Sequence, residues 1–131
     1  MSKHSFKGLG VALVTPFTET NKVDYKSLER LVEHLLRDRA TDFLVVHGTT
    51  GESPCLTRQE RDAVTEQIVK QVAGRCPIMV GLGGNNTLET ADRIAAMQTR
   101  GIDGILSVVP YYNKPSQEGI YQHFSTLARR S

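Results

Sequence analysis

Four times along the chain a short apolar run gives way to a turn and then to a stripe of helical period. The runs lie at residues 9–14, 43–46, 78–82 and 105–109, and they are rich in Val, Ile and Leu. Their apolar residues do not alternate with polar ones, which predicts strands covered on both faces. The helical stripes between them are Leu28, Leu31, Val32, Leu35 and Leu36, then Val64, Ile68, Val69 and Val72. A third is suggested by Ile94, Ala95 and Met97, and a fourth by Ile120, Phe124 and Leu127.

Helix starts are marked by residues that satisfy free backbone N–H groups. Thr57 with Glu60 has the spacing of a capping box, and Asn86 with Glu89 has the same spacing. Asp24 and Ser116 are expected N-caps, with Pro115 discouraging any earlier start of the last helix. Two helix-to-strand joints match in sequence, Arg39-Ala40-Thr41-Asp42 before the second strand and Arg100-Gly101-Ile102-Asp103 before the fourth.

Strand starts near residues 9, 43, 77 and 105 are about 28 to 34 residues apart, the size of a βαβ crossover. The chain therefore reads as four β/α units with parallel strands, in a single domain over residues 1–131. A doubly wound open sheet and a (β/α)8 barrel both accept that pattern; periodicity alone slightly favours the sheet, and the loop motifs favour the barrel.

Composition narrows the function classes. Hydrophobic residues are 39% of the 131 and charged residues 23%, an ordinary globular balance. A net charge of +2 argues against nucleic acid or an anionic membrane surface as partner. No apolar run approaches the roughly 20 residues that span a bilayer. The first ten residues carry Lys3, His4 and Lys7 without a small-residue cleavage site, so a cytoplasmic protein is expected. Cys55 and Cys76 suit neither a disulfide framework nor a metal site, and Cys55 is expected to be a buried thiol.

Candidate chemistry gathers after the strands, where α/β proteins place their sites. Gly48-Thr49-Thr50-Gly51-Glu52-Ser53 combines two glycines, expected to supply backbone positions closed to other residues, with two hydroxyls suited to a small carboxylate or a proton. A plain glycine-rich turn is the competing reading. Gly81-Leu82-Gly83-Gly84-Asn85-Asn86 superficially resembles a dinucleotide loop. Asn86 replaces its third glycine, and a turn is expected instead. Tyr111 and Tyr112 suit either packing or proton relay, since a phenol relays protons when a partner lowers its pKa from about 10. His34 and His123 are expected to be surface or satisfied core residues. His47 has no second ligand at helical spacing, so no metal is expected.

Taken in order, these motifs resemble the N-terminal half of the dihydrodipicolinate synthase family, pyruvate-dependent class I aldolases. The residues that carry the resemblance are Ala12-Leu13-Val14-Thr15-Pro16-Phe17, Gly48-Thr49-Thr50-Gly51-Glu52-Ser53, the run from Pro110-Tyr111-Tyr112-Asn113-Lys114-Pro115 to Gly119, and Tyr121-Gln122-His123-Phe124. The Tyr-Tyr-Asn-Lys-Pro segment is more similar to the synthases than to their N-acetylneuraminate lyase siblings.

The resemblance implies a TIM (β/α)8 barrel in which pyruvate, held as a Schiff base on a lysine, condenses with aspartate semialdehyde without metal or cofactor. It implies that Thr49 and Tyr112 belong to a proton relay and that Thr50 binds the pyruvate carboxylate. Tyr112 would reach a neighbouring subunit, in a homo-oligomer (dimer or tetramer). It further implies a possible effector cleft for lysine at Ser53, Asn85, Glu89 and Tyr111. Arg58 and Arg61 stand where lysine-regulated members often place histidines, and their positive charge disfavours an ammonium ligand. The family's Schiff-base lysine sits on a sixth strand, and none of Lys3, Lys7, Lys22, Lys26, Lys70 or Lys114 falls on an expected strand. The C-terminal half-barrel is therefore expected to come from elsewhere, as a second copy or a complementing segment. A non-catalytic half-barrel that binds a small carboxylate or a partner remains the alternative from a different class, and an unrelated flavodoxin-like sheet a third.

Overall fold

The computed structural model describes residues 6–37, 40–97 and 101–131. Four short strands, β1 (Gly10–Ala12), β2 (Phe43–Val46), β3 (Ile78–Gly81) and β4 (Gly104–Leu106), alternate with helices α1 (Tyr25–Arg37), α2 (Arg58–Val72), α3 (Thr87–Ala96) and α4 (Gln117–Ala128). The strands form one sheet in the order β1-β2-β3-β4. Gly10 lies opposite Phe43 and Leu44 opposite Ile78, both in parallel pairs. An order that follows the chain without reversal is that of a β/α barrel, and it rules out the open-sheet alternative, whose order switches direction.

The chain forms two compact units, Met1–Val80 with Gly101–Gly104, and Gly81–Arg100 with Ile105–Ser131. In the first unit α1 starts where Asp24 accepts the Lys26 and Ser27 amides, each at 3.1 Å. The Ser27 hydroxyl donates to the same carboxylate at 2.6 Å. That bond and the Ser27 amide hold the Asp24 carboxyl below its usual range. The expected capping box forms: Glu60 N donates to the Thr57 hydroxyl at 3.2 Å, and the Glu60 carboxylate takes the Thr57 amide at 2.8 Å. Leu28, Val32, Leu44, Val46, Val64, Ile68, Val72, Ile78 and Val80 supply the apolar core of this unit, all at 3% exposure or less. Across its outer side Gln67 donates to Tyr25 O, Gln71 to Glu29 O, and the Arg75 fork to the Glu33 carboxylate, so α1 and α2 are laced along their length.

The matching joints have a shared purpose. Asp42, just before β2, accepts the Leu9 amide at the start of β1 at 2.7 Å. Asp103, just before β4, accepts the Ile78 amide at the start of β3 at 2.9 Å. Arg39 and Arg100 of the same joints lie outside the described residues. Changing Asp103 to alanine leaves the Ile78 amide without its acceptor, and urea unfolding should report a loss of about 1–3 kcal/mol.

In the second unit Leu82, Ala91, Ile94 and Leu127 form the core, with Met97 and Ile105 against it. Two expectations change here. The inward stripe of α3 is Thr90, Ala91 and Ile94; Ala95 is exposed and Met97 lies beyond the helix end, because the helix starts at Thr87 and its phase follows from that cap. On α4 His123 at 2% exposure takes an inward place, whereas Phe124 remains 38% exposed.

The strands also depart from the expectation of burial on both faces. Residues alternate between buried and half-buried along β2 and β3, and Val14 and Leu106 are exposed. One face of β2 and β3 is buried and the other half-buried, where the Phe6 ring packs against Phe43 of β2.

Candidate functional site

In the first unit the segment after β2 folds into two consecutive 3-10 turns, Thr49–Gly51 and Ser53–Cys55. The Gly51 amide donates to Gly48 O and the Glu52 amide to Thr49 O, both at 3.0 Å. Thr49 and Thr50 are exposed side by side at the C-terminal end of the strand. Beneath them Thr15, 7% exposed, donates its hydroxyl to Gly51 O at 2.6 Å. The segment after β1 is thereby tied to the threonine turn.

The glycines do not act as the sequence suggested. Gly48 sits at φ −68 and ψ −179, an ordinary extended conformation. The left-handed residues are His47 (φ 58) and Glu52 (φ 50), on either side of the turn. Gly51 is favoured by crowding instead: a Cβ there would lie a tight 3.0 Å from the Leu13 carbonyl oxygen. His47 is buried, with its Nε2 2.9 Å from Arg61 O and 2.9 Å from the Thr65 hydroxyl on α2. Burial, above all, pushes its pKa below the usual histidine value; the Arg61 charge adds to that, and the Arg61 carbonyl opposes it.

Cys55 is exposed, not buried. Leu56, one residue on, takes the inward position at 5% exposure, and the tight turn carries the thiol outward. Cys76 is the buried cysteine, and burial raises its thiol pKa. His34 is a surface residue.

The second unit carries the other two loops. The segment after β3 is a turn leading to the Asn86 cap, whose Oδ1 accepts the Glu89 amide at 3.2 Å. Gly83 lies close to the segment after β4, since a Cβ there would meet the Val108 backbone N at 3.3 Å. Asn113 joins this loop to the next one: its side-chain amide donates to Asn85 O at 3.1 Å, and its backbone amide to Tyr111 O at 2.9 Å. Tyr111 is 55% exposed and Tyr112 96% exposed, the latter on a left-handed backbone at φ 70.

Behind the tyrosines, His123 Nε2 contacts Val108 O at 3.1 Å and Nδ1 contacts the Thr87 hydroxyl at 2.8 Å. A carbonyl only accepts, so Nε2 carries the proton and Thr87 donates to Nδ1. Asn85, Glu89 and Tyr111 thus share one unit, tied in part through Asn113, and Tyr112 stands beside them. Thr49, Thr50 and Ser53 belong to the first unit. Sequence reasoning assigned no role to Thr15, to the His47 ring or to Asn113. The only signal for each was its place next to a strand end or a tyrosine pair.

Sequential parallel strands, each followed by a helix, define the N-terminal half of a (β/α)8 barrel, and solved barrels superpose on the chain over almost its whole length. The family model for the dihydrodipicolinate synthetase family matches residues 5–131, and the chain belongs to that family. It is 52% identical over 128 residues to the 4-hydroxy-tetrahydrodipicolinate synthase of Porphyromonas gingivalis, covering 98% of this chain and 43% of that protein. Dihydrodipicolinate synthase from Acinetobacter baumannii, complexed with pyruvate, is similar with a TM-score of 0.91 and 41% identity, over 97% of this chain and 43% of that one. The enzyme from Cyanidioschyzon merolae, with lysine bound, is similar with a TM-score of 0.89 and 42% identity, over 98% of this chain and 44% of that one. The chain thus spans less than half the length of these relatives.

Proposed function

We infer that this chain forms the hydroxyl-bearing part of a 4-hydroxy-tetrahydrodipicolinate synthase, which condenses pyruvate with aspartate semialdehyde in the cytoplasm on the way to lysine. The observation that carries this reading is the exposed Thr49-Thr50 turn at the end of β2, within a chain 52% identical to a synthase along nearly its entire length. The amine that forms the Schiff base is supplied by a segment outside this chain. The five described lysines are all exposed and none lies on a strand, so none has the desolvated setting that activates a lysine for attack.

Within that division of labour each group has a defined task. Thr50 donates to the pyruvate carboxylate and fixes the keto carbon relative to the amine. Thr49 passes protons as the carbinolamine loses water and as the enamine adds to the aldehyde. Tyr112, standing clear of its own unit, extends that relay into a neighbouring subunit of a homo-oligomer. The iminium formed on the external lysine withdraws electrons, so no metal or cofactor enters the reaction. Asn85, Glu89 and Tyr111, which share the second unit, contribute to an effector cleft.

Borohydride trapping tests the assignment. With pyruvate, the chain alone should give no covalent adduct by mass spectrometry. Joined to the C-terminal half of the P. gingivalis relative, it should give one adduct, on the added half, together with condensation activity. An adduct on this chain, or no adduct on a folded combination, would overturn the reading.

A further inference from the structure

The turn that presents Thr49 and Thr50 is flanked by a residue whose conformation calls for an explanation. His47 holds φ at 58, a region that disfavours any residue bearing a Cβ and persists only where the surroundings enforce it. The enforcement comes from its ring. At 7% exposure it is buried beside α2, with Nε2 2.9 Å from Arg61 O and 2.9 Å from Thr65 Oγ1. Because the Arg61 carbonyl can only accept, Nε2 holds the proton and Nδ1 is bare. Nδ1 is itself buried and has no hydrogen-bond partner among the described residues.

We propose that His47 is a positioning residue whose neutral ring, bonded to α2 through Arg61 O and Thr65 Oγ1, latches the backbone from which Thr49 and Thr50 project. Its consequence for turnover rests on the function proposed above; the latch itself does not. A second proton would have to sit on Nδ1, in a buried place without an acceptor. The charged groups facing the ring are the Arg61 guanidinium, which opposes protonation, and the Asp62 carboxylate, which favours it. Burial, the largest influence, acts with the Arg61 charge against the Arg61 carbonyl and Asp62 and prevails, so the folded pKa lies below the unfolded value of about 6.5. The contribution of the latch is therefore complete above that value and is lost as pH falls through the lowered folded pKa.

Amide hydrogen exchange read by NMR tests this on the chain itself, at the two hydrogen-bonded amides of the turn, Gly51 and Glu52. His47→Gly accepts the left-handed backbone and removes only the ring. His47→Gln keeps an N–H donor of similar reach and does not titrate. Protection at Gly51 and Glu52 should fall at least about tenfold in the glycine variant while α1 keeps its own, and glutamine should restore most of it. Corrected for intrinsic exchange, wild-type protection should fall progressively as pH is lowered below about 6.5, and that of His47→Gln should not. Unchanged protection in His47→Gly, or the same acid drop in His47→Gln, would overturn the latch. If the glycine variant does not fold, the pH comparison alone decides. An intact latch combined with kinetically silent threonines would count against the proposed function and leave the latch standing.

Discussion

Replacing Thr49 by valine in the chain joined to the C-terminal half of the P. gingivalis relative should lower kcat by about 10²-fold or more while KM for pyruvate changes by no more than about threefold. Valine matches the shape of threonine, and the turn is closed by backbone bonds from Gly51 and Glu52, so its geometry should survive. What disappears is a hydroxyl that can both give and take a proton. Thr50→Val should have the opposite signature, a rise in KM for pyruvate of about tenfold or more, because a hydrogen bond to a charged carboxylate is worth roughly 1.5–3 kcal/mol. Serine at either place should recover most of the loss. Steady-state kinetics at saturating aldehyde separates the two patterns. Two valine variants within twofold of wild type in both constants would reduce the turn to scaffolding.

A loss of stability is expected from His123→Leu, about 2 kcal/mol. Leucine fills much of the ring's volume, so the cost does not come from an empty space. It comes from the Thr87 hydroxyl and the Val108 carbonyl, each of which loses its partner on the buried ring at a part-buried site. An orphaned buried polar group costs about 1–3 kcal/mol. Urea unfolding should show the midpoint falling with little change in slope. The double variant Thr87→Val with His123→Leu should cost less than the sum of the single changes, because Thr87 no longer has a bond to lose. Full additivity would mean that the ring and the hydroxyl do not depend on one another.

Much of the fold was legible because the strands and caps announce themselves. The 43–46 run reads as a strand on apolar content alone, and β2 occupies those four residues. Thr57 and Glu60 read as a capping box because the reciprocal bonds need only that spacing. The second 3-10 turn did not read so well. Three residues carry no period, so nothing in Ser53-Pro54-Cys55 distinguishes the thiol that faces outward from the leucine after it that goes in. The inward faces of α3 and α4 were misjudged at Ala95 and Phe124 because polar residues, Thr90 and His123, occupy core positions once their hydrogen bonds are met inside.

The site divides in the same way. The Thr49-Thr50 turn stands out by composition. The His47 ring does not, since a left-handed conformation is expected of a glycine and here falls on its neighbour. Asn113 reads as part of a loop until its side-chain bond to Asn85 O is seen to tie that loop to the one after β3.

The paired aspartates bear on how such a chain comes to be built. Parallel neighbours can slide by a residue, and one step of slippage would turn every side chain to the wrong side. Asp42 and Asp103 each grip the first amide of a strand laid down a helix earlier, Leu9 and Ile78. Emerging from the ribosome, β2 and β4 would thus each fix the alignment of the strand made before it.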